Sequence, residues 1–315
     1  MEIMDNFYEL IILGAGPAGT AAGVYASRKK IKTLLIAESF GGQATVAAKI
    51  ENIIGYTDLS GVQMAQAFEK QLRANQVEMV SDTITSIKKE ADIFQVATAN
   101  SGFFKTKNIL IALGRKYKNL EVPGEEKFKG RGVVYCSTCD APLFKDKPVA
   151  VAGAGNAGLL SVIDLSPYAS KIYLLTKNEN LKADEVLQDK VKNIPKAEII
   201  LNAKITEIEG DAMVEALKYQ DAKTGEIKRL VVNGVFVQIG MKPNIEPVKD
   251  LIQINKTGEI IAEPLTGRTS APGIWAAGDI TDLPYKQISV AVGDGIRALL
   301  DIYAELRGIK LKEFI

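Results

Sequence analysis

An α/β fold is predicted, with two Rossmann-like dinucleotide-binding domains, the second inserted into the first. Two observations carry this. The order strand, glycine-rich loop, helix, strand occurs near residue 8 and again near residue 149. Two further apolar strands, Ile109-Leu110-Ile111-Ala112-Leu113-Gly114 and Gly273-Ile274-Trp275-Ala276-Ala277, each run up to a glycine. The 315 residues suffice for two domains of ordinary size.

In chain order, Tyr8-Glu9-Leu10-Ile11-Ile12-Leu13 is a strand that leads into Gly14-Ala15-Gly16-Pro17-Ala18-Gly19. An Ala-rich helix and the strand Thr33-Leu34-Leu35-Ile36 follow. Such a loop leaves backbone N–H groups free at a helix N-terminus, where a pyrophosphate binds. Gly14 permits the tight turn, Gly16 lets the phosphate approach, and Gly19 lets the helix pack on the strand. Glu38, about 20 residues on, suits a hydrogen bond to a ribose diol. A tight turn without ligand is the plain alternative. Val122-Pro123-Gly124-Glu125 reads as a turn near the first crossover. The second repeat runs Val149-Ala150-Val151-Ala152, then Gly153-Ala154-Gly155-Asn156-Ala157-Gly158, a helix, and the strand Lys171-Ile172-Tyr173-Leu174-Leu175. Near the C-terminus, Gly293-Asp294-Gly295 is expected to open a final amphipathic helix. Trp275 is expected in the core.

The only cysteines, Cys136 and Cys139, lie between the two glycine loops as Tyr135-Cys136-Ser137-Thr138-Cys139-Asp140. Half a zinc site would need two more ligands, and the chain holds no histidine and no third cysteine. A metal shared between chains is the remaining structural alternative. In the redox reading, a CxxC at a helix start has one thiolate favoured by free N–H groups and exchanges through a mixed disulfide.

Composition narrows the chemistry. Apolar residues make up 47%, charged residues 24%, and the net charge is +1, which argues against nucleic acid or a membrane surface as the main partner. The absence of histidine removes Ser-His and Cys-His catalysis and His-ligated metals. Proton transfer falls to a carboxylic acid, tyrosine, lysine, thiol or water. No metal is expected. The start Met1-Glu2-Ile3-Met4-Asp5 lacks the basic character of a signal peptide and no apolar run approaches a membrane span, so a cytoplasmic location is expected.

Over almost its whole length the chain resembles the low-molecular-weight thioredoxin reductase family. Gly41-Gly42-Gln43, Glu51-Asn52, Ala112-Leu113-Gly114 and Ala277-Gly278-Asp279 look like that family's FAD contacts, and Tyr285-Lys286-Gln287-Ile288 followed by Gly293-Asp294-Gly295 matches its late block. The resemblance implies FAD held by Gly14, Gly16, Pro17, Ala18, Gly19, Glu38, Gly42, Gln43, Asn52, Ala112, Gly114, Gly278, Asp279, Gln287 and Ile288. It also implies that Cys139 takes electrons from reduced FAD, that Cys136 attacks the partner, and that Asp140 is the general acid. A helix-terminal charge is the plain reading of Asp140.

In the resembled enzymes the second domain binds NADPH through a His-Arg-Arg cluster after the second strand. Here Thr176-Lys177-Asn178 stands there, with Lys182 beyond, and lysine lacks the bidentate phosphate grip of arginine. Leu160 stands where the family has an acid. Lys182-Ala183-Asp184-Glu185-Val186-Leu187-Gln188-Asp189-Lys190 resembles instead the flavoprotein component of alkyl hydroperoxide reductase, which uses NADH, but Thr176 replaces its ribose-binding acid. Neither clamp is intact. The nicotinamide-nucleotide loop, if it binds, would be Gly153, Gly155, Asn156, Ala157 and Gly158 with Lys177 and Lys182. Three donor readings follow: reduced ferredoxin, which the missing clamp favours, then NADH, then NADPH.

The expected activity is FAD-dependent reduction of thioredoxin or a thioredoxin-like protein. The alternatives are a peroxiredoxin-type target and a flavin redox sensor without turnover. Expected domains are 1–115 with 249–315 for FAD, and 116–248 carrying the CxxC. A homodimer, and a hinge near Gly114-Arg115-Lys116 and Gly240-Met241-Lys242, are implied by the resemblance.

Overall fold

Burial on both faces explains the first sheet. In the computed structural model, which describes residues 6–46, 50, 53–57 and 59–309, five parallel strands lie in the order Ile274–Ala276, Ile109–Ile111, Leu10–Ala15, Thr33–Phe40, Glu78–Ser81. Their near-continuous Ile and Leu runs suit a sheet covered on both sides. Leu10, Ile12, Leu35 and Leu110 face one apolar cluster; Ile11, Leu13, Leu34 and Ile109 face the other. A mixed four-stranded sheet, Phe7–Tyr8, Phe103–Thr106, Ile93–Thr98 and Ile84–Glu90, belongs to the same unit.

Helices α1 (Pro17–Arg28) and α2 (Gly61–Ala74) cover this sheet. A capping box between Ser60 and Gln63 fixes the start of α2. The last helix of the unit spans Ile288–Arg307 and packs on α1. It begins at Ile288 rather than at the Gly293-Asp294-Gly295 segment expected to open it, because Gln287 is already its extended N-cap and its carbonyl accepts from Ala291 N–H. Gly295 instead permits close helix packing, since a Cβ there would stand 2.1 Å from the Ala18 carbonyl oxygen. Trp275 is buried, and its indole N–H donates to Asp301, which also pairs with Arg268.

The second unit, Tyr117–Met241, has its own parallel sheet, ordered Val133–Val134, Gly234–Val237, Pro148–Ala152, Lys171–Leu175, Ala197–Ile200. An antiparallel trio, Ala203–Gly210, Val214–Asp221 and Ile227–Val231, completes it. Its helices are α3 (Ser137–Asp140), α4 (Asn156–Leu165) and α5 (Glu185–Lys192), which makes the Ile288–Arg307 helix α6.

The chain crosses between units at Lys116/Tyr117 and returns at Met241/Lys242. The return comes before the expected 248/249 boundary because Ile245, Val248 and Leu251 pack into the first unit's core. The first crossing precedes the 122–125 turn, whose Gly124 packs on Ile208 inside the second unit.

Candidate active site

The first glycine loop is built by steric necessity. Gly14 has φ +102°, and a Cβ there would lie 2.4 Å from the Ala112 carbonyl oxygen. A Cβ on Gly19 would lie 1.8 Å from the Gly14 carbonyl oxygen, so α1 can approach its strand only with glycine at that position. Gly16, the N-cap of α1, has extended backbone and no side-chain cap, and Pro17 occupies the first turn, where its missing N–H costs nothing. A Cβ on Gly16 would meet only the Cα of Gly42, at 3.9 Å. No packing demand therefore explains that glycine. It leaves a backbone-lined cradle with bare helical N–H groups, the right donors for a diphosphate.

Of the other residues expected to hold a flavin, Ala112, Gly42 and Gly278 pack against this loop and the start of α1. Gly41 N–H bonds to the Ala15 carbonyl, and Gly42 follows with Gln43 exposed in a short 3₁₀ turn. Gly278 packs against Ala18. Glu38 is exposed near the end of a strand that continues to Phe40. Gln287 and Ile288 form the start of α6. Gly114 has φ +61°. Asn52 lies outside the described residues. The open glycine cradle at the α1 N-terminus thus fits the diphosphate of a dinucleotide flavin.

Beside Gly278, Asp279 is half-buried. Burial pushes its carboxyl above the ordinary aspartate range, while Lys286 and Arg115 pull it back. Arg115 donates to the Asp279 backbone carbonyl at 2.7 Å and pairs with Glu259, and Lys286 lies 3.7 Å from Glu259. Burial and the neighbouring Arg115 push the Lys286 amine below its usual value. Sequence reasoning missed the Arg115–Glu259–Lys286 cluster, because Glu259 sits in a turn with no motif around it.

In the second unit, Cys136 is disulfide-bonded, and no free cysteine occurs among the described residues. Cys139 lies in α3, but its side chain is outside what the structure describes. α3 is a single turn, with Asp140 N–H bonded to the Cys136 carbonyl at 3.2 Å. Asp140 stands at its end and makes no side-chain cap to the 3₁₀ turn that follows. Its carboxyl is half-buried, and burial alone raises its pKa. Burial and the nearby Asp140 charge likewise raise the Tyr117 phenol.

The turn's flanks are tied down. Gln238 donates to the Tyr135 carbonyl, and the Tyr135 hydroxyl donates to Glu125, itself fixed by the N–H groups of Leu120 and Glu121. Ser137 Oγ donates to Asp164 at 2.8 Å and accepts from Ser161 at 2.9 Å, so α3 is pinned to α4. Among the described residues no cluster of three or more metal-ligating side chains occurs.

The second glycine loop repeats the first. Gly153 has φ +113° and faces the Gln238 carbonyl oxygen; a Cβ on Gly158 would lie 1.8 Å from the Gly153 carbonyl oxygen. Gly155 is the N-cap of α4, and a Cβ there would meet only the Lys182 carbonyl oxygen, at 3.7 Å. Lys182 N–H bonds to the Ala154 carbonyl, and Asn156 exchanges hydrogen bonds with Asp184. Ala157 is exposed in the first turn of α4. At the strand end Thr176 is buried and accepts from Asn178, while Lys177 and Lys182 are exposed. At the strand end itself, Thr176-Lys177-Asn178 supplies no arginine and no carboxylate.

The pyridine nucleotide-disulphide oxidoreductase family matches residues 8–295. The F component of alkyl hydroperoxide reductase from Pseudomonas aeruginosa is 40% identical over 95% of the chain and 58% of its own length. A Bacillus subtilis protein named NADH dehydrogenase is 38% identical over 94% of the chain and 58% of its own length. The chain therefore spans little more than half the length of these relatives. Among solved structures, Lactococcus lactis thioredoxin reductase superposes with a TM-score of 0.80 at 32% identity, covering 96% of this chain and 100% of that one. T. acidophilum thioredoxin reductase gives 0.77 at 34%, covering 96% and 99%. Paired glycine loops, a disulfide turn between them and a family match over most of the chain lead to one conclusion: this protein belongs to the pyridine nucleotide-disulphide oxidoreductase family, with a thioredoxin reductase-like fold.

Proposed function

We propose that the protein is an FAD-dependent disulfide reductase whose Cys136–Cys139 pair reduces the disulfide of a thioredoxin-like protein. The carrying observation is the disulfide turn ending in a half-buried carboxyl that caps nothing. When bound, the flavin would supply the two-electron carrier that links a donor to the disulfide. Family membership supports the flavin. The chain's own residues do the rest. Gly14 and Gly19 let the loop and α1 pack, Gly16 would admit the diphosphate, Pro17 and Ala18 start the helix that would face it, and Gly42, Ala112, Gly114, Gly278, Asp279, Gln287 and Ile288 would hold the rest of the flavin. Reduced Cys136 attacks the partner's disulfide to form a mixed disulfide, Cys139 resolves it, and the partner leaves as a dithiol. Asp140, whose pKa burial raises, would deliver the proton to a departing thiolate.

For the donor we favour NADH. Gly155 keeps an open approach that its packing does not require, as Gly16 does, which supports a bound nucleotide over a vestigial loop. The missing arginines argue against a 2′-phosphate, and the relative named NADH dehydrogenase adds weight. Reduced ferredoxin, favoured by the missing clamp alone, is the rival. Anaerobic addition of NADH, NADPH or reduced ferredoxin, reading flavin absorbance near 450 nm, decides it. Rapid bleaching by NADH is expected; bleaching by ferredoxin alone would return the second loop to a packing role.

A further inference from the structure

The one-turn helix α3 carries Cys139 and directly follows Cys136, but it is far too short to hold its own geometry in water. Its orientation therefore rests on what its side chains grip. Ser137, the residue between the cysteines on the Cys136 side, is buried and gives its hydroxyl proton to Asp164 Oδ2 at 2.8 Å. Its oxygen accepts from Ser161, which is 2% exposed, at 2.9 Å. Ser161 and Asp164 are three residues apart on one face of α4, aimed together at α3. A hydroxyl chain ending on a carboxylate is a charge-assisted link, stronger than a neutral one. It places an acid one residue from the Cys136 backbone, in a partly desolvated setting where a charge reaches further than in water.

We infer that Asp164, acting through Ser137, is a positioning residue that sets the redox poise of the Cys136–Cys139 pair. This rests on the reading that the pair is redox-active. A fixed negative charge behind the turn opposes thiolate formation in the reduced state. It thereby weakens the reduced form relative to the disulfide and makes the pair a better reductant. Other ionisable groups near the turn include Asp140 on α3, Tyr117, Tyr135 with Glu125 and Glu126, and Lys129, whose ammonium lies 5.7 Å from the Tyr135 ring. None of them is altered by changing Asp164.

The test is equilibration of the purified full-length protein with glutathione. Two glutathione thiols are oxidised to one glutathione disulfide as the pair takes up two electrons and two protons. In parallel, the pH dependence of iodoacetamide alkylation is measured on the reduced protein. Asp164→Asn keeps an acceptor for Ser137 but removes the charge. It should favour the reduced pair about tenfold, about 30 mV, and move the alkylation profile to lower pH. Ser137→Ala should shift both in the same direction, and the double variant should go no further than Asp164→Asn alone. An equilibrium within about twofold of wild type for Asp164→Asn, or strictly additive single effects, overturns the inference. Should Asp164→Asn fail to fold, an unshifted Ser137→Ala does the same. A wild-type pair inert to glutathione would instead overturn the disulfide-reductase reading and this inference with it.

Discussion

A carboxyl held neutral by burial keeps its proton at pH values where an exposed aspartate has lost it. Burial moves the Asp140 pKa in that direction, and the residue makes no side-chain cap. Asp140→Asn should slow disulfide reduction by about 10²-fold or more. In the wild type the rate should fall as pH rises through the raised Asp140 pKa, and the variant's pH–rate profile should lack that limb. Stability runs the other way. A carboxyl whose folded pKa is raised costs stability as pH climbs from its unfolded value to its folded one, so Asp140→Asn should melt higher than wild type at neutral pH. Asp82 has the opposite sign. Burial alone would raise its pKa, but the N–H groups of Thr83, Asn100 and Ser101 win and hold it well below the usual range. Its stabilisation is present above the unfolded aspartate pKa and is lost as pH falls through the folded one. Thermal melts of Asp82→Ala should be lower than wild type near neutrality and converge with it in strong acid.

Glycines within elements separate what the sequence shows from what only packing shows. The two GxGxxG loops are legible because each first glycine needs positive φ and each third glycine abuts a carbonyl, and such demands leave a fixed spacing. Gly295 was readable only as a helix start, because its true reason, the backbone of α1 pressed against α6, lies far away in sequence. Gly295→Ala should force α6 off Ala18 at a cost of about 1–3 kcal/mol. It should show as a lower melting temperature and weaker flavin retention on gel filtration. The disulfide turn was legible by elimination, since two cysteines and no histidine leave little else. Its support was not: Ser137, Ser161 and Asp164 are ordinary residues until α3 and α4 are packed together.

At the scale of the whole chain, two parallel sheets with matching glycine loops are joined by two crossings. The second crossing, Met241/Lys242, lies within the Gly240-Met241-Lys242 segment named from the sequence, whereas the 248/249 boundary fell too late because Ile245 and Val248 already pack in the first unit. Among the described residues, no helix is long and apolar enough to cross a membrane. The central claim is that electrons leave the flavin through Cys136 and its partner cysteine. It is tested most directly by bleaching the bound flavin anaerobically with its donor and then mixing in a thioredoxin-like disulfide. The wild type should recover its 450 nm absorbance stoichiometrically with partner thiols formed, while Cys136→Ser should stay bleached. Recovery of Cys136→Ser at the wild-type rate would contradict the account.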